Sequence, residues 1–98
     1  MNEEPTEPNQ VYIGARQVDQ KGRVTIPSHT RDEHDIGYGD DVSLTVETIP
    51  DDPRAVRDVF ETPTLTVRSR GQVTIPSGER TAHDIEGGDS VNVLVTVE

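Results

Sequence analysis

The octapeptide KGRVTIPS, Lys21–Ser28, returns as RGQVTIPS at Arg70–Ser77. Displaced by 49 residues, the chain lies on itself without a gap, and 15 of 29 positions are identical between Val18–Val46 and Val67–Val95. The identities extend past the octapeptide to Val18/Val67, Arg31/Arg80, His34/His83, Asp35/Asp84, Ile36/Ile85, Gly39/Gly88, Asp40/Asp89, Val42/Val91 and Val46/Val95. A fixed-period self-match of this kind marks internal duplication, so the chain reads as two tandem repeats.

Each repeat spells the same elements. Tyr12–Val18 and Leu65–Arg68 suit a first strand. Asp19-Gln20-Lys21-Gly22 and Arg68-Ser69-Arg70-Gly71 are tight turns, with glycine free to take positive φ. Arg23–Ile26 and Gln72–Ile75 alternate polar and apolar and carry β-branched residues, as strands do. Pro27 and Pro76 lack the N–H a ladder needs and suit a helix start. A helix of about two turns is predicted over Ser28–His34 and Ser77–His83, held mainly by packing because its caps are weak. Gly37–Gly39 and Gly87-Gly88 turn the chain into a last strand, where Val42, Leu44 and Val46, or Val91, Val93, Val95 and Val97, alternate.

Boundaries follow: an acidic, disordered tail at 1–10, a first repeat at 11–47, a linker at 48–64 and a second repeat at 65–98. In the linker, Pro50-Asp51-Asp52-Pro53 suits a turn or a helix N-cap, and Ala55, Val56, Val59 and Phe60 fall at helical spacing. Two readings stand there, a short helix and a loose loop with two apolar anchors. One repeat alone is below the size at which domains normally hold together, so the two are expected to share a core.

Composition removes several function classes. The chain has no cysteine, which excludes disulfides and thiolate metal sites. No apolar run approaches the roughly 20 residues of a membrane span. The N-terminus, MNEEPTEPNQ, is acidic and is not a signal peptide, so a cytoplasmic protein is expected. His29, His34 and His83 come with no converging ligand set, so no metal or other cofactor is expected. Asp40 and Asp89 sit in Gly-Asp turns, where the side chain bonds its own backbone. No nucleophile or phosphate loop is visible, and no enzyme is expected.

Nineteen acids against nine bases give a net charge of −10, and Lys21 is the one lysine. Such acid-rich, lysine-poor composition suits a salt-loving microbe, where screening relieves self-repulsion. The charge is segregated. Arg16–Pro27 and Leu65–Pro76 each carry +2, whereas Ser28–Glu47 carries −5 and Ser77–Glu98 carries −4. A basic hairpin in each repeat is the footprint of a duplex DNA binder, since guanidinium groups pair with phosphates or read guanine edges. Simple offsetting of nearby acids is the competing reading.

The pattern K-G-x-V-T-I-P-x-x-x-R followed by D-I-x-x-G-D-x-V resembles the AbrB/MazE/SpoVT swapped-hairpin family, and both repeats carry it. The resemblance implies a mostly β fold with short helices: a swapped-hairpin β-barrel built from two β-β-α-β repeats, either as an intramolecular pseudo-dimer or as a homodimer of chains. It implies a DNA-binding transcription regulator. Its DNA-contacting positions fall here on Arg16, Lys21, Arg23 and Arg31, and on Arg68, Arg70, Gln72 and Arg80. The second basic residue that some family regulators carry after the helix arginine is replaced by Asp32 and Thr81. Arg31 and Arg80 have a competing reading, ion pairs with Asp35 and Asp84 on the same short helix. The family alternative is an antitoxin of the MazE/VapB type. No toxin-wrapping segment is expected after the last strand, unless the ten-residue N-terminal tail serves, so a toxin partner is the lesser expectation. A protein-interaction module of the same fold without DNA binding is the third reading.

Overall fold

The computed structural model describes residues 9–52 and 54–98. The expected acidic tail falls mostly outside them, and its last residue, Gln10, opens the first strand instead. The elements are β1 (Gln10–Gln17), β2 (Arg23–Thr25), α1 (Ser28–His34), β3 (Asp41–Thr48), β4 (Val59–Glu61), β5 (Leu65–Thr66), β6 (Gln72–Thr74), α2 (Ser77–Ala82) and β7 (Ser90–Val97). A single 3-10 turn, Ser69–Gly71, precedes β6.

Every ladder among the described residues is antiparallel and crosses between the two halves of the chain. One sheet has the order β1-β7-β3-β4, with β5 also on β3, and a separate two-stranded ribbon pairs β2 with β6. At the centre of the large sheet Thr45 faces Leu94; in the ribbon Val24 faces Val73. Both are pairs related by the 49-residue displacement, so a pseudo-two-fold axis passes through both sheets. Hydrogen bonds repeat across it: Ile26 N donates to Gly71 O at 2.9 Å, and Ile75 N to Gly22 O at 2.9 Å. Neither half completes a sheet alone, which agrees with the small size of each unit. The structure establishes a mostly β unit of two sheets with two short helices; closure into a barrel is not part of this hydrogen-bonding pattern.

The core follows the same symmetry. Val18/Val67, Val24/Val73, Ile26/Ile75, Ile36/Ile85, Val42/Val91, Leu44/Val93 and Val46/Val95 are all buried, joined by Phe60. Full burial of each such side chain contributes about 1.5–3 kcal/mol. The pleat alternates them with polar residues, so β3 and β7 bury one face and wet the other.

The linker is where sequence and structure part. No helix forms there among the described residues. Ala55 N donates to Asp52 O at 2.9 Å, closing one turn that goes no further. Val56 and Val59 are exposed while Phe60 is buried, an alternation that belongs to a strand. Residues 59–61 form β4 and pair with β3: Thr45 with Glu61, Val46 with Phe60, Glu47 with Val59. The physical reason is the open edge of β3, which β5 covers at Asp41 and Val42 alone. β7 has the same edge, covered along its length by β1. Tyr12 faces Leu94 as Glu61 faces Thr45, so Val59–Thr66 stands where the first half has Gln10–Gln17. The irregularity in β1 between Tyr12 and Gly14 has its counterpart at Thr62-Pro63. There the Thr62 hydroxyl accepts the Leu44 N–H at 2.9 Å. The predicted linker to Thr64 therefore contains most of a first strand. Helix α2 ends one residue earlier than expected, at Ala82.

Candidate nucleic-acid interface

The ribbon buries Val24 and Val73, so Arg23, Thr25, Gln72 and Thr74 stand on its other face. Lys21, Arg23, Arg68, Ser69, Gln72 and Thr74 line one open depression of about 380 Å³. Four of the eight residues expected to meet DNA therefore lie at one place, drawn from both halves. Three are cations, and no carboxylate lines the depression among the described residues.

The two turns that flank the ribbon are built differently. In the first, Asp19 Oδ1 accepts the backbone N–H of Lys21 and of Arg23, both at 2.9 Å. Its Oδ2 accepts Arg23 Nε at 2.7 Å. The backbone N–H of Arg23 first, helped by its guanidinium and the Lys21 N–H, holds the Asp19 carboxyl below its ordinary range against desolvation, which pulls the other way. In the second turn the same place is Arg68, which has no acceptor to offer. That turn tightens into 3-10 form, and Arg70 takes a left-handed conformation, φ 62. Arg68 and Arg70 are both exposed.

The helix arginines cross between halves. Arg31 Nε donates to Ile26 O at 3.0 Å, and Arg80 Nε to Ile75 O at 2.9 Å. Their side chains then lie over the opposite turn glycine: a Cβ on Gly71 would strike Arg31, and one on Gly22 would strike Arg80. Both glycines also hold positive φ, 75 and 80. The competing ion pairs with Asp35 and Asp84 do not form among the described residues. Those aspartates turn left-handed, φ 53 and 56, just past the helices. Arg16 lies on β1 opposite Val91, outside the depression, and its buried Nε has no hydrogen-bond partner among the described residues.

Spacing alone did not single out Ser69, Thr74 or the Asp19–Arg23 clamp. An Asp at the head of a four-residue turn, with Arg four places on, was the available signal for the clamp. The histidines are placed elsewhere. His83 stacks on Phe60 at 4.1 Å between ring centres, with Nδ1 3.5 Å from Asp58 Oδ2. It borders a second depression of about 370 Å³ whose lining includes Asp51, Asp58, Asp84, Glu86 and Asp89. No group of three or more potential ligands is arranged to hold a metal among the described residues. The two depressions are thus of opposite sign.

Residues 15–48 match the MazE family. The family is described as antidote-toxin recognition MazE, bacterial antitoxin, which is not an enzyme family. The match runs from late β1 through β3, about a third of the chain. No curated protein matches the chain. Among solved structures it is similar to the solution structure of PHS018 from Pyrococcus horikoshii. That likeness has a TM-score of 0.70 and 26% identity, over 91% of this chain and 89% of that one. No helix among the described residues is long and apolar enough to cross a membrane.

Proposed function

We propose that the chain is a tandem pseudo-dimer that binds duplex DNA through the β2–β6 ribbon and its flanking turns, and acts as a DNA-binding regulator. The observation that carries this reading is the convergence of Lys21, Arg23, Arg68 and Gln72 on one open depression with no acid among its described lining residues. In a chain of net charge −10, a depression lined by three cations is a departure that needs a reason. A two-stranded ribbon fits the major groove, which is about 12 Å wide. Lys21 and Arg70, one in each turn, suit phosphates; Arg23 and Gln72, on the ribbon face, suit base edges. Arg31 and Arg80 support the turns from the opposite half. Their Nε groups are already committed, which leaves the Nη groups for phosphate.

Fluorescence anisotropy with mixed-sequence duplex DNA, from dilute to molar salt, tests the reading. Binding is expected at low salt, with affinity falling log-linearly as salt rises. Arg23→Ala combined with Arg70→Ala should weaken it strongly and flatten the salt slope by about one unit for each phosphate no longer neutralised. Unchanged binding in that variant would remove the ribbon from the mechanism.

The family match favours a second reading, an antitoxin that binds a protein partner. The acidic depression around His83 would then be the candidate surface for a basic toxin. A duplex-binding failure at every salt concentration, with the fold intact, favours that reading.

A further inference from the structure

We propose that Arg23 and Gln72 read different bases, guanine and adenine, so that the chain recognises a duplex with a direction rather than a palindrome. This rests on the DNA-binding reading above. The 49-residue displacement makes Arg23 and Gln72 equivalent positions about the axis through Val24 and Val73. A symmetric reader would carry the same side chain at both.

Position in the ribbon sets the spacing. Arg23 faces Thr74 and Thr25 faces Gln72, so Arg23 and Gln72 are diagonal neighbours on one face. Diagonal neighbours lie about 7–8 Å apart. Base pairs rise about 3.4 Å per step. The two side chains therefore address positions about two steps apart, on either side of the site's centre.

Chemistry sets the bases. The Asp19 carboxylate grips Arg23 through Nε at 2.7 Å, which fixes the plane of the guanidinium. The Nη groups make no hydrogen bond among the described residues, so the donor fork points free. A fixed fork of two donors matches guanine O6 and N7. Gln72 offers one donor and one acceptor, the complement of adenine N7 and N6. No carboxylate bonds it among the described residues. Arg68 occupies that place, with its N–H donating to Gln72 O at 2.7 Å, and brings a cation for the neighbouring phosphate instead. Asp19 is thus a positioning residue for guanine, with no counterpart in the other half.

Selection from a duplex library with a randomised core, using the full chain, is the test. The wild type should recover a non-palindromic site with G·C on one side and A·T on the other. Arg23→Gln should convert it to A·T on both sides, and Gln72→Arg to G·C on both. Exchanging the guanine in the recovered duplex should cost the wild type about 5- to 150-fold in Kd. Asp19→Asn should shrink that ratio while leaving total affinity equal or higher, since it removes the negative charge held against Arg23; damage to the fold would lower both. A palindromic wild-type site, or preferences that neither exchange alters while duplex is still bound, overturns the inference and leaves DNA binding standing. Absence of binding to any duplex removes the DNA reading itself, and this inference with it.

Discussion

Gly22→Ala tests the crossing of the helix arginines, because it meets two separate obstacles. The first is conformational. Gly22 sits at φ 80, where a residue with a Cβ costs about 1–2 kcal/mol. The second is spatial. The new methyl falls on the Arg80 guanidinium and its δ-carbon, so that side chain must leave. Its departure breaks the Arg80 Nε–Ile75 O bond of 2.9 Å. A hydrogen bond with a charged partner contributes about 1.5–3 kcal/mol. The single substitution should therefore cost about 2.5–5 kcal/mol. Once Arg80→Ala has removed the obstacle, the conformational part alone should remain. The double-mutant cycle should show a coupling of about 1.5–3 kcal/mol between residues from opposite halves. Urea unfolding at constant salt, followed by circular dichroism, measures all four corners. Additivity within about 0.5 kcal/mol would refute the crossing as an energetic tie. Gly71→Ala with Arg31→Ala should repeat the result, since Arg31 covers Gly71 in the same manner.

Phe60→Ala should cost about 3–5 kcal/mol by thermal or urea unfolding, as for other buried phenylalanines, and should free β4 to proteolysis by removing its one core anchor. The Asp19 carboxyl, held below its ordinary range, stabilises the fold fully above its unfolded pKa and loses that contribution as pH falls through the folded value. Acid unfolding should therefore show a component below about pH 4 that Asp19→Asn abolishes. With net charge −10, the folded fraction should rise with added salt; full stability in dilute buffer would count against adaptation to concentrated salt.

Much of this was legible because the informative interactions are local. The Val-Thr-Ile run, the turn glycines and the prolines each impose a conformation within a few residues, and each appears twice. β4 was not legible for the opposite reason. Gln10–Gln17 and Val59–Thr66 share no identical residue at the 49-residue displacement, and Pro63 reads as the end of a strand. What makes Val59–Glu61 a strand is the unpaired edge of β3, which no window around residue 60 contains. Asp52-Pro53 followed by Val56, Val59 and Phe60 suited a helix locally, but Val56 and Val59 had no apolar surface to cover. The basic residues of the candidate interface were found by type and segment. Their convergence needed the β2–β6 ladder, and the reach of Arg31 and Arg80 to the opposite turns needed the fold.

The distribution of differences between the halves argues for what the single chain permits. Six of the seven symmetry-related core pairs are identical, and Leu44/Val93 is a conservative seventh. Outside the core the pairs diverge in charge: Asp19/Arg68, Arg23/Gln72, Arg16/Leu65, Asp32/Thr81. In a dimer of identical chains, any change at the ribbon would appear on both sides of the axis. Asp19 could not stand on one side and Arg68 on the other. Joining the halves removes that restriction while leaving the ladders and the shared core under it, since every ladder still needs both partners. The ribbon face is then free to differ from side to side, and Asp19, Arg23, Arg68 and Gln72 are where it does.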